Sequence, residues 1–364
     1  MLHYLIVNFV PNFKTTPLRL VDYVTFRAGA AAFTAMLLVL IFGPMTVRLL
    51  KDFVSPNRYK EYVGNVAAIK DKTPSMGGLL IISSILVSML LWGNLGNALV
   101  LIFLGAMLAF MTLGFADDYC KVRLKSKDGI SAKTKFFFQI VISLIALGCF
   151  CFLPETRDHL REFCVPFIKV PVWIMPVGLA LFFGVLVVVA SSNAVNLTDG
   201  KDGLAVGCTI FCTLTYAAFA YMSGHKVFAD YLSINYISGA GEVGVFASCI
   251  AGACIGFLWY NCNPASMFMG DTGSLALGGC IGLIAVLVKQ ELLLILVGWV
   301  FVMEAGSVVL QVASVKLTGK RIFLCTPIHH HFEKKNWPET QIVVRFWIIA
   351  GICALIGLAS LKLR

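Results

Sequence analysis

The chain of 364 residues is 59% hydrophobic and only 13% charged, with a mean hydropathy of +0.87. These proportions exclude a soluble globular protein and indicate a polytopic membrane protein. The net charge of +10 suits anionic lipid or a phosphorylated substrate better than nucleic acid, because the basic residues lie near the ends of apolar runs without an aromatic stacking platform.

Ten apolar runs are long enough to cross a bilayer core of roughly 30 Å, which needs about 20 apolar residues in a helix. The runs are continuous rather than alternating, so they predict helices. The expected fold class is all-α, with residues 28–364 forming a single ten-span membrane domain. The predicted spans are residues 28–50, 76–92, 98–116, 136–153, 172–190, 204–222, 243–260, 273–288, 292–313 and 342–361.

Lysine and arginine favour cytoplasmic loops and therefore predict the orientation of the chain. Residues 51–75, 117–135 and 316–341 hold five, six and five of them, more than any connection on the other side. We expect these loops in the cytoplasm and both termini outside it. Residues 1–27 lack a basic start and a cleavage site, which predicts a short interfacial segment rather than a signal peptide.

Five polar segments between the spans fall on the predicted cytoplasmic side, and we expect the chemistry there. They are residues 70–78, 116–135, 193–203, 261–274 and 320–333. The twelve cysteines lie mostly inside spans and are interpreted as small packing residues, because no CxxC pair indicates a zinc site.

The second segment opens with Asp117 and Asp118 and continues through Lys121, Lys125, Lys133 and Lys135. Acids at membrane depth cost about 2.5 to 3.5 kcal/mol each on insertion scales, so they persist mainly where they have a partner or a task. Adjacent helical residues point about 100° apart, so one acid can face a metal or substrate while the other faces a lysine. A solvated cap with basic anchors is the alternative.

The third segment repeats oxygen-bearing side chains every third residue, at Asn193, Asn196, Asp199 and Asp202. Its two glycines permit close approach to a ligand. Clustered carboxylate and amide oxygens suit Mg²⁺, which usually takes substrate phosphates as further ligands. Capping of the next helix by Asn and Asp is the alternative.

The fourth segment carries a single acid, Asp271, directly before a new span. Alone it would be an ordinary acid at a helix N-terminus, where the dipole is positive. Together with the other acid segments it becomes a candidate metal ligand. Phe268 is either a surface for stacking a base or an aromatic residue at the membrane interface.

The fifth segment places His329, His330 and His331 in a row. Consecutive residues cannot all reach one ion, so zinc is not expected. We predict instead that the histidines donate hydrogen bonds to phosphate oxygens, with Lys320 and Arg321 adding positive charge.

These motifs together resemble the bacterial phospho-N-acetylmuramoyl-pentapeptide transferases, a branch of the polyprenyl-phosphate N-acetylhexosamine-1-phosphate transferases. The resemblance covers residues 26–364 in order and is carried by Lys72 to Gly78, Asp117-Asp118, Asn196 to Ala205, Met269 to Gly279 and Pro327 to Glu333. The last motif is the one most specific to the muramoyl branch. The chain departs from the usual pattern at Lys201, where Thr-Asp-Gly is commonly followed by Leu.

The resemblance implies transfer of phospho-MurNAc-pentapeptide from UDP-MurNAc-pentapeptide to undecaprenyl phosphate, giving lipid I and UMP with Mg²⁺. It also implies the bacterial inner membrane, an active site facing the cytoplasm, and a homodimer. The implied catalytic residues are Asp117, Asp118, Asp271, His330 and His331, with the three acids at the metal. The implied substrate contacts are Lys70, Asn261, Phe268 and Asp202 at the uridine end, Asn196, Asp199 and Lys133 at the phosphates, and Lys121, Asn193, Gln311 and His329.

Direct attack by the lipid phosphate is favoured over a phospho-enzyme, because the phosphate is itself a nucleophile once a metal lowers the charge repulsion. Two alternatives remain open. One is a transferase of the same superfamily that uses UDP-GlcNAc for another surface polymer. The other is a transporter or lipid flippase, whose acids would lie near the bilayer midplane rather than at one surface.

Overall fold

The computed structural model describes residues 17–51, 53–54, 73–124 and 129–363. The predicted all-α membrane fold is confirmed, because within these ranges nine helices are long and apolar enough to cross a membrane and one further apolar helix is shorter. The helices are α1 Val24–Leu49, α2 Gly78–Trp92, α3 Ala98–Val122, α4 Ala132–Phe152, α5 Pro154–Arg157, α6 Val177–Thr198, α7 Leu204–Ser223, α8 Lys226–Leu232, α9 Ala240–Asn261, α10 Gly270–Leu287, α11 Leu293–Val297, α12 Trp299–Thr318, α13 Ile328–Lys334 and α14 Glu339–Ser360.

Two helices continue beyond their predicted ends and carry polar residues with them. Helix α3 runs on to Val122, and helix α6 runs on to Thr198. Asp117 and Asn196 therefore stand on helices rather than on loops. A helix satisfies its own backbone hydrogen bonds, so it need not stop where its apolar run stops, provided that its polar side chains find partners.

The predicted ninth span, residues 292–313, is wrong in its bounds. The short helix α11 ends at Val297, and α12 begins at Trp299 after a break at Gly298. Glycine has a low helix propensity, which favours such a break. Helix α12 then continues to Thr318, where Gly319 adopts the left-handed conformation typical of helix ends, with φ +69°.

Helix α10 forms the centre of the bundle. All of its residues are buried, and it packs most extensively against α6 and α3. Gly114 on α3 lies so close to α10 that a Cβ atom there would be 2.1 Å from the backbone oxygen of Asp271. A small residue is therefore required at this contact, and it brings the C-terminal end of α3 against the first turn of α10.

The opposite end of the bundle has its own buried charges and a small hairpin. Strands β1 Glu162–Phe163 and β2 Trp173–Ile174 pair antiparallel there. Arg27 on α1 forms a buried ion pair with Glu242 on α9. Because these charges pair with each other, they join helices rather than offer a second polar site. Residues 1–16 of the predicted interfacial segment lie outside the described residues.

Candidate active site

Three buried carboxylates meet at the contact between α3 and α10. Asp117 and Asp118 lie near the end of α3, and Asp271 lies in the first turn of α10. One oxygen atom from each lies within 4.8 Å of the other two. The exposed fraction of each residue is 3% or less. Carboxylates this close repel each other unless cations neutralise them, and oxygen donors suit a hard divalent cation such as Mg²⁺.

Asp118 caps helix α10 from a distant part of the chain. Its carboxylate accepts hydrogen bonds from the backbone N–H of Asp271 at 3.2 Å and of Thr272 at 2.9 Å, and from the Thr272 hydroxyl at 2.7 Å. The first N–H groups of a helix have no partner within the helix and carry its positive dipole end. Asp118 therefore stabilises the start of α10, which fixes the position of Asp271.

Two lysines neutralise the other two acids. The Nζ atom of Lys135 lies 2.9 Å from one oxygen of Asp117 and 2.9 Å from one oxygen of Asp271. The Nζ atom of Lys121 lies 2.9 Å from the same Asp271 oxygen and also pairs with Asp117. Within the described residues, two ammonium groups lie against the three carboxylates of this acid cluster, and the same ammonium groups can donate hydrogen bonds to a phosphate.

Lys135 lies in the predicted second segment, but the motifs assign a substrate contact to Lys133 and none to Lys135. Lys133 is exposed in the first turn of α4, whereas Lys135 faces the carboxylates. Residues two positions apart on a helix project about 200° apart, so the two lysines cannot face the same site. Their spacing in the sequence shows that only one of the two lysines can face the carboxylates. The rotation of α4 about its axis decides which one.

The two asparagines of helix α6 have different roles. Asn196 donates a hydrogen bond to Asp271 Oδ1 at 2.9 Å and to the Ser274 hydroxyl at 2.8 Å, so it belongs to the acid cluster. Asn193 instead donates to the Gln139 side chain on α4 at 2.8 Å. Asn193 therefore lies at the contact between α4 and α6, nearly one helical turn away from Asn196, and its predicted substrate contact stays a prediction.

Asp202 and Asn261 hold loops together. Asp202 accepts hydrogen bonds from the Asn263 side chain at 3.1 Å and from the Ala265 N–H at 3.2 Å. Asn261 accepts from the Gly203 N–H at 3.0 Å and donates to a backbone oxygen of its own loop. Both residues are buried, at 3% and 2% exposed. Their side chains stabilise the wall of the site, and their predicted contact with uridine stays a prediction.

Phe268 is half-buried beside the first polar segment. Its N–H donates to the Pro74 oxygen at 2.8 Å, and its oxygen accepts from the Gly77 N–H at 2.8 Å. These two bonds fix the backbone of Phe268 from both sides and leave its ring partly accessible. A partly accessible ring on a fixed backbone is suited to stacking against a base. Lys70, predicted at the same end, lies outside the described residues.

Each of the three consecutive histidines has a different partner. His329 is buried and bonds through Nδ1 to Glu304 on α12 at 3.0 Å. His330 bonds through Nδ1 to Glu333 at 2.8 Å. His331 accepts at Nδ1 from the Leu324 N–H at 3.1 Å. His330 and His331 keep accessible surface, whereas His329 is buried and supports the helix; its predicted substrate contact stays a prediction.

Glu333 also bonds Lys201, the residue that departs from the resemblance. The Lys201 Nζ atom lies 2.7 Å from Glu333, and its side chain is only 2% exposed. Burial raises the pKa of Glu333, but hydrogen bonds from His330 and Lys201 outweigh it and lower that pKa to about 2. Burial lowers the pKa of His330, and the charges of His329 and Lys201 lower it further against the opposing effect of Glu333.

Gln311 and Asp199 complete the set of predicted residues. Gln311 accepts hydrogen bonds from the Ile322 and Phe323 N–H groups, both at 3.0 Å, and donates to the Phe323 oxygen. Its amide thus stabilises the loop before α13, and its predicted substrate contact stays a prediction. Asp199 directly follows α6 and is partly exposed, beside the acid cluster end of that helix.

Glu304, Thr272 and Ser274, like Lys135, were assigned no role from the sequence. Glu304 lies inside an apolar span and is fully buried, and its charge there was the signal that could have found it. Thr272 and Ser274 lie within one turn of Asp271. Nothing in their type distinguishes them from ordinary residues at the start of a helix.

Two family descriptions match the chain. The description of Glycosyl transferase family 4 matches residues 100–289, which span all three acids of the cluster. Residues 70–82 match the description of phospho-N-acetylmuramoyl-pentapeptide-transferase signature 1, which includes the Gly77 backbone that holds Phe268.

Similar proteins cover nearly the whole chain. A protein of Methylacidiphilum infernorum is 47% identical over 352 residues, which are 95% of this chain and 96% of its own. A protein of Neisseria meningitidis serogroup C is 47% identical over 351 residues, covering 96% and 97%. A protein of Chloroherpeton thalassium is 46% identical over 375 aligned positions and covers both chains completely. All three are named phospho-N-acetylmuramoyl-pentapeptide-transferase.

Proposed function

Because this chain belongs to the phospho-N-acetylmuramoyl-pentapeptide-transferase family, we propose that it transfers phospho-MurNAc-pentapeptide from UDP to undecaprenyl phosphate. The products are lipid I and UMP. The proposal covers its location in the bacterial inner membrane, with the acid cluster facing the cytoplasm, and its assembly as a homodimer. The observation that carries it is the buried group of three carboxylates and two lysines at one end of a membrane bundle.

The reaction exchanges one phosphorus–oxygen bond for another. An oxygen of the lipid phosphate attacks the phosphorus next to the sugar, and the bond from that phosphorus to the bridging oxygen breaks. UMP leaves with the bridging oxygen and its electron pair. Two phosphorylated substrates must therefore meet despite their negative charges, and ammonium groups such as those of Lys121 and Lys135 lower this repulsion.

Direct attack by the lipid phosphate is favoured over a phospho-enzyme. Asp118 uses its carboxylate to cap α10, and Asp117 and Asp271 are paired with Lys121 and Lys135. A carboxylate that accepts charge-assisted hydrogen bonds is a weaker nucleophile than a free one. Asp117 remains able to accept a proton from the lipid phosphate.

Mg²⁺ fits the donor set of this cluster. Asp117, Asp118 and Asp271 offer one oxygen each within 4.8 Å of the others, and hard divalent cations prefer such ligands. When bound, Mg²⁺ neutralises developing charge on phosphate oxygens. The residues of the chain orient this group, since Asn196 holds one oxygen of Asp271 and Thr272 holds Asp118.

An apolar cavity supports a lipid acceptor. It has a volume of about 730 Å³, lies between α4 and α6, and begins at Phe136, next to Lys135. Side chains such as Leu144 and Phe182 line it, and Asn193 stands at its polar end. A prenyl chain in this cavity would have its phosphate near the acid cluster. The cavity thus matches a substrate with one long apolar end and one charged end.

The donor assay tests this function. Purified protein in detergent with Mg²⁺ and undecaprenyl phosphate is expected to release UMP from UDP-MurNAc-pentapeptide and little from UDP-GlcNAc. The reason is that the α12–α13 loop, with Lys320 and Arg321, is exposed at the same end and can contact the peptide beyond the diphosphate. Release of UMP is measured by chromatography.

Each of the other outcomes of the donor assay would indicate a different function for this protein. Preference for UDP-GlcNAc would assign the chain to surface-polymer synthesis. A folded, metal-supplied sample that releases no UMP from either donor would favour a transporter. Protein carrying Asp271→Asn serves as the control for UMP that arises without the acid cluster.

The sidedness of the site is tested by thiol labelling in intact cells. After the native cysteines are replaced, a single cysteine at Lys334 is expected to resist an impermeant thiol reagent, and one at Asp158 is expected to react. Both positions are exposed on the protein, so a difference in labelling by the reagent would arise because the membrane shields one of them. Labelling at Lys334 in intact cells would contradict the cytoplasmic location of the site. Labelling at both positions after permeabilisation is the control.

A further inference from the structure

Lys201 is an ammonium group buried outside the acid cluster, and the proposed reaction gives it no task. Its side chain is 2% exposed, although lysine is almost never fully buried unless it is paired. Its partner is Glu333 at 2.7 Å, on the helix that carries the histidines. A buried lysine in this position calls for an explanation other than solubility or surface charge.

Three consecutive residues of the turn between α6 and α7 contact the histidine helix α13 and the start of α14. A Cβ atom at Gly200 would lie 2.5 Å from His329 Nε2, so backbone and imidazole are in direct contact there. Lys201 pairs with Glu333, and the Asp202 N–H donates to Glu339 at 3.2 Å. The turn that follows Asn196 and Asp199 is thereby joined to α13 and α14.

The partners of two histidines determine their tautomers. Glu333 is a carboxylate, so His330 must carry its proton on Nδ1 to bond it at 2.8 Å. In neutral His330, Nε2 is then the acceptor. His331 Nδ1 accepts from the Leu324 N–H, so in neutral His331 the proton is on Nε2. Neighbouring imidazoles of one helix are thus held in opposite tautomers, one an acceptor and one a donor.

The charge balance around His330 depends on Lys201. Among the described residues, the titratable groups that interact with His330 include Glu333 and His329 on its own helix and Lys201 from the α6–α7 turn. Glu304 from α12 bonds His329. Without Lys201, the negative charge of Glu333 would favour an imidazolium at His330. With Lys201, the pair is neutral and a further positive charge is disfavoured.

We propose that Lys201 is a positioning residue which, through Glu333, keeps His330 neutral with its proton on Nδ1, so that His330 and His331 present one acceptor and one donor to the substrates. This role rests on the proposed transfer reaction. The acceptor nitrogen of His330 matches a hydroxyl group or a protonated phosphate oxygen of the ligand. The donor N–H of His331 matches an ionised phosphate oxygen. Two imidazolium ions would instead offer only donors.

The test is a titration of the histidine ring nitrogens by ¹⁵N NMR in the full-length protein in detergent. The chain has six histidines, so few signals arise, and those of His330 are identified by their loss in His330→Gln. In Lys201→Met the titration midpoint of His330 is expected to move to higher pH, because the charge that opposes protonation is gone. In Lys201→Arg it is expected to stay near the wild-type value.

A second variant reverses the sign of the effect and keeps the proposal testable if Lys201→Met does not fold. Glu333→Gln removes the charge that favours protonation, so the midpoint of His330 is expected to move to lower pH. The matched control is Lys316→Met, which removes an exposed lysine at the end of α12. An unmoved midpoint in the folded variants, or an equal shift in the control, would overturn the role of Lys201.

The pH profile of transfer separates positioning from simple support of the fold. In Lys201→Met the acidic limb of kcat is expected to move to higher pH together with the midpoint, and Lys201→Arg should restore it. A uniform loss of kcat at every pH without a shifted limb would mean that Lys201 only stabilises the turn. Because the nitrogen titration needs no substrate, its outcome is independent of the donor assay.

Discussion

Replacement of Asp271 by asparagine is expected to reduce UMP release by about 10²- to 10³-fold, a loss of the size seen when one preorganised charge-stabilising group is removed. One carboxylate oxygen of Asp271 forms ion pairs with Lys121 and Lys135, and the other accepts a hydrogen bond from Asn196. The amide keeps the shape of the side chain. Its NH₂ group, however, would face either the ammonium groups of Lys121 and Lys135 or the NH₂ group of Asn196. The cluster would lose a charge and its orientation at once.

The control for Asp271→Asn is Asp158→Asn, which removes an exposed acid at the other end of the bundle. Both variants should elute as wild type in gel filtration, which separates lost chemistry from lost folding. Calorimetric titration with Mg²⁺ should show weaker binding in Asp271→Asn only, and extra Mg²⁺ should restore little turnover. Near wild-type turnover would mean that Asp271 merely supports the positive end of the α10 dipole.

Replacement of Lys135 by methionine is expected to lower kcat by about 10²-fold, whereas the same change at Lys133 should leave it within about twofold. Lys135 bridges Asp117 and Asp271 with two contacts of 2.9 Å. Without it, Lys121 is the one lysine among the described residues that still pairs with both carboxylates, and the repulsion between them rises. Lys133 is exposed on the same helix, so its removal changes the surface charge alone.

The pair of lysine variants is matched in residue type, in charge and in position on α4. Steady-state UMP release under saturating donor and acceptor measures kcat for both. Equal losses would show that positive charge near the membrane surface matters rather than a contact with the carboxylates. A larger loss at Lys133 would restore the assignment made from the sequence and contradict the rotation of α4.

Composition and the spacing of apolar runs were sufficient to predict an all-α polytopic membrane protein, and nine helices of membrane-spanning length lie among the described residues. In lipid every backbone polar group must be satisfied within the chain, so long apolar runs have few possible structures. The type and order of the motifs were sufficient to predict an acid cluster of Asp117, Asp118 and Asp271. Acids are costly at membrane depth, and their presence at helix ends is therefore informative by itself.

The roles of individual polar side chains were decided by the tertiary structure. Asp118 caps a helix that begins more than 150 positions later, and Lys135 rather than Lys133 enters the cluster because of the rotation of α4. Lys201 meets Glu333 only because the α6–α7 turn docks on α13. Hydrogen bonds and ion pairs act over about 3 Å, whereas sequence spacing constrains direction only within one helix or strand, so contacts between distant segments cannot be derived from it.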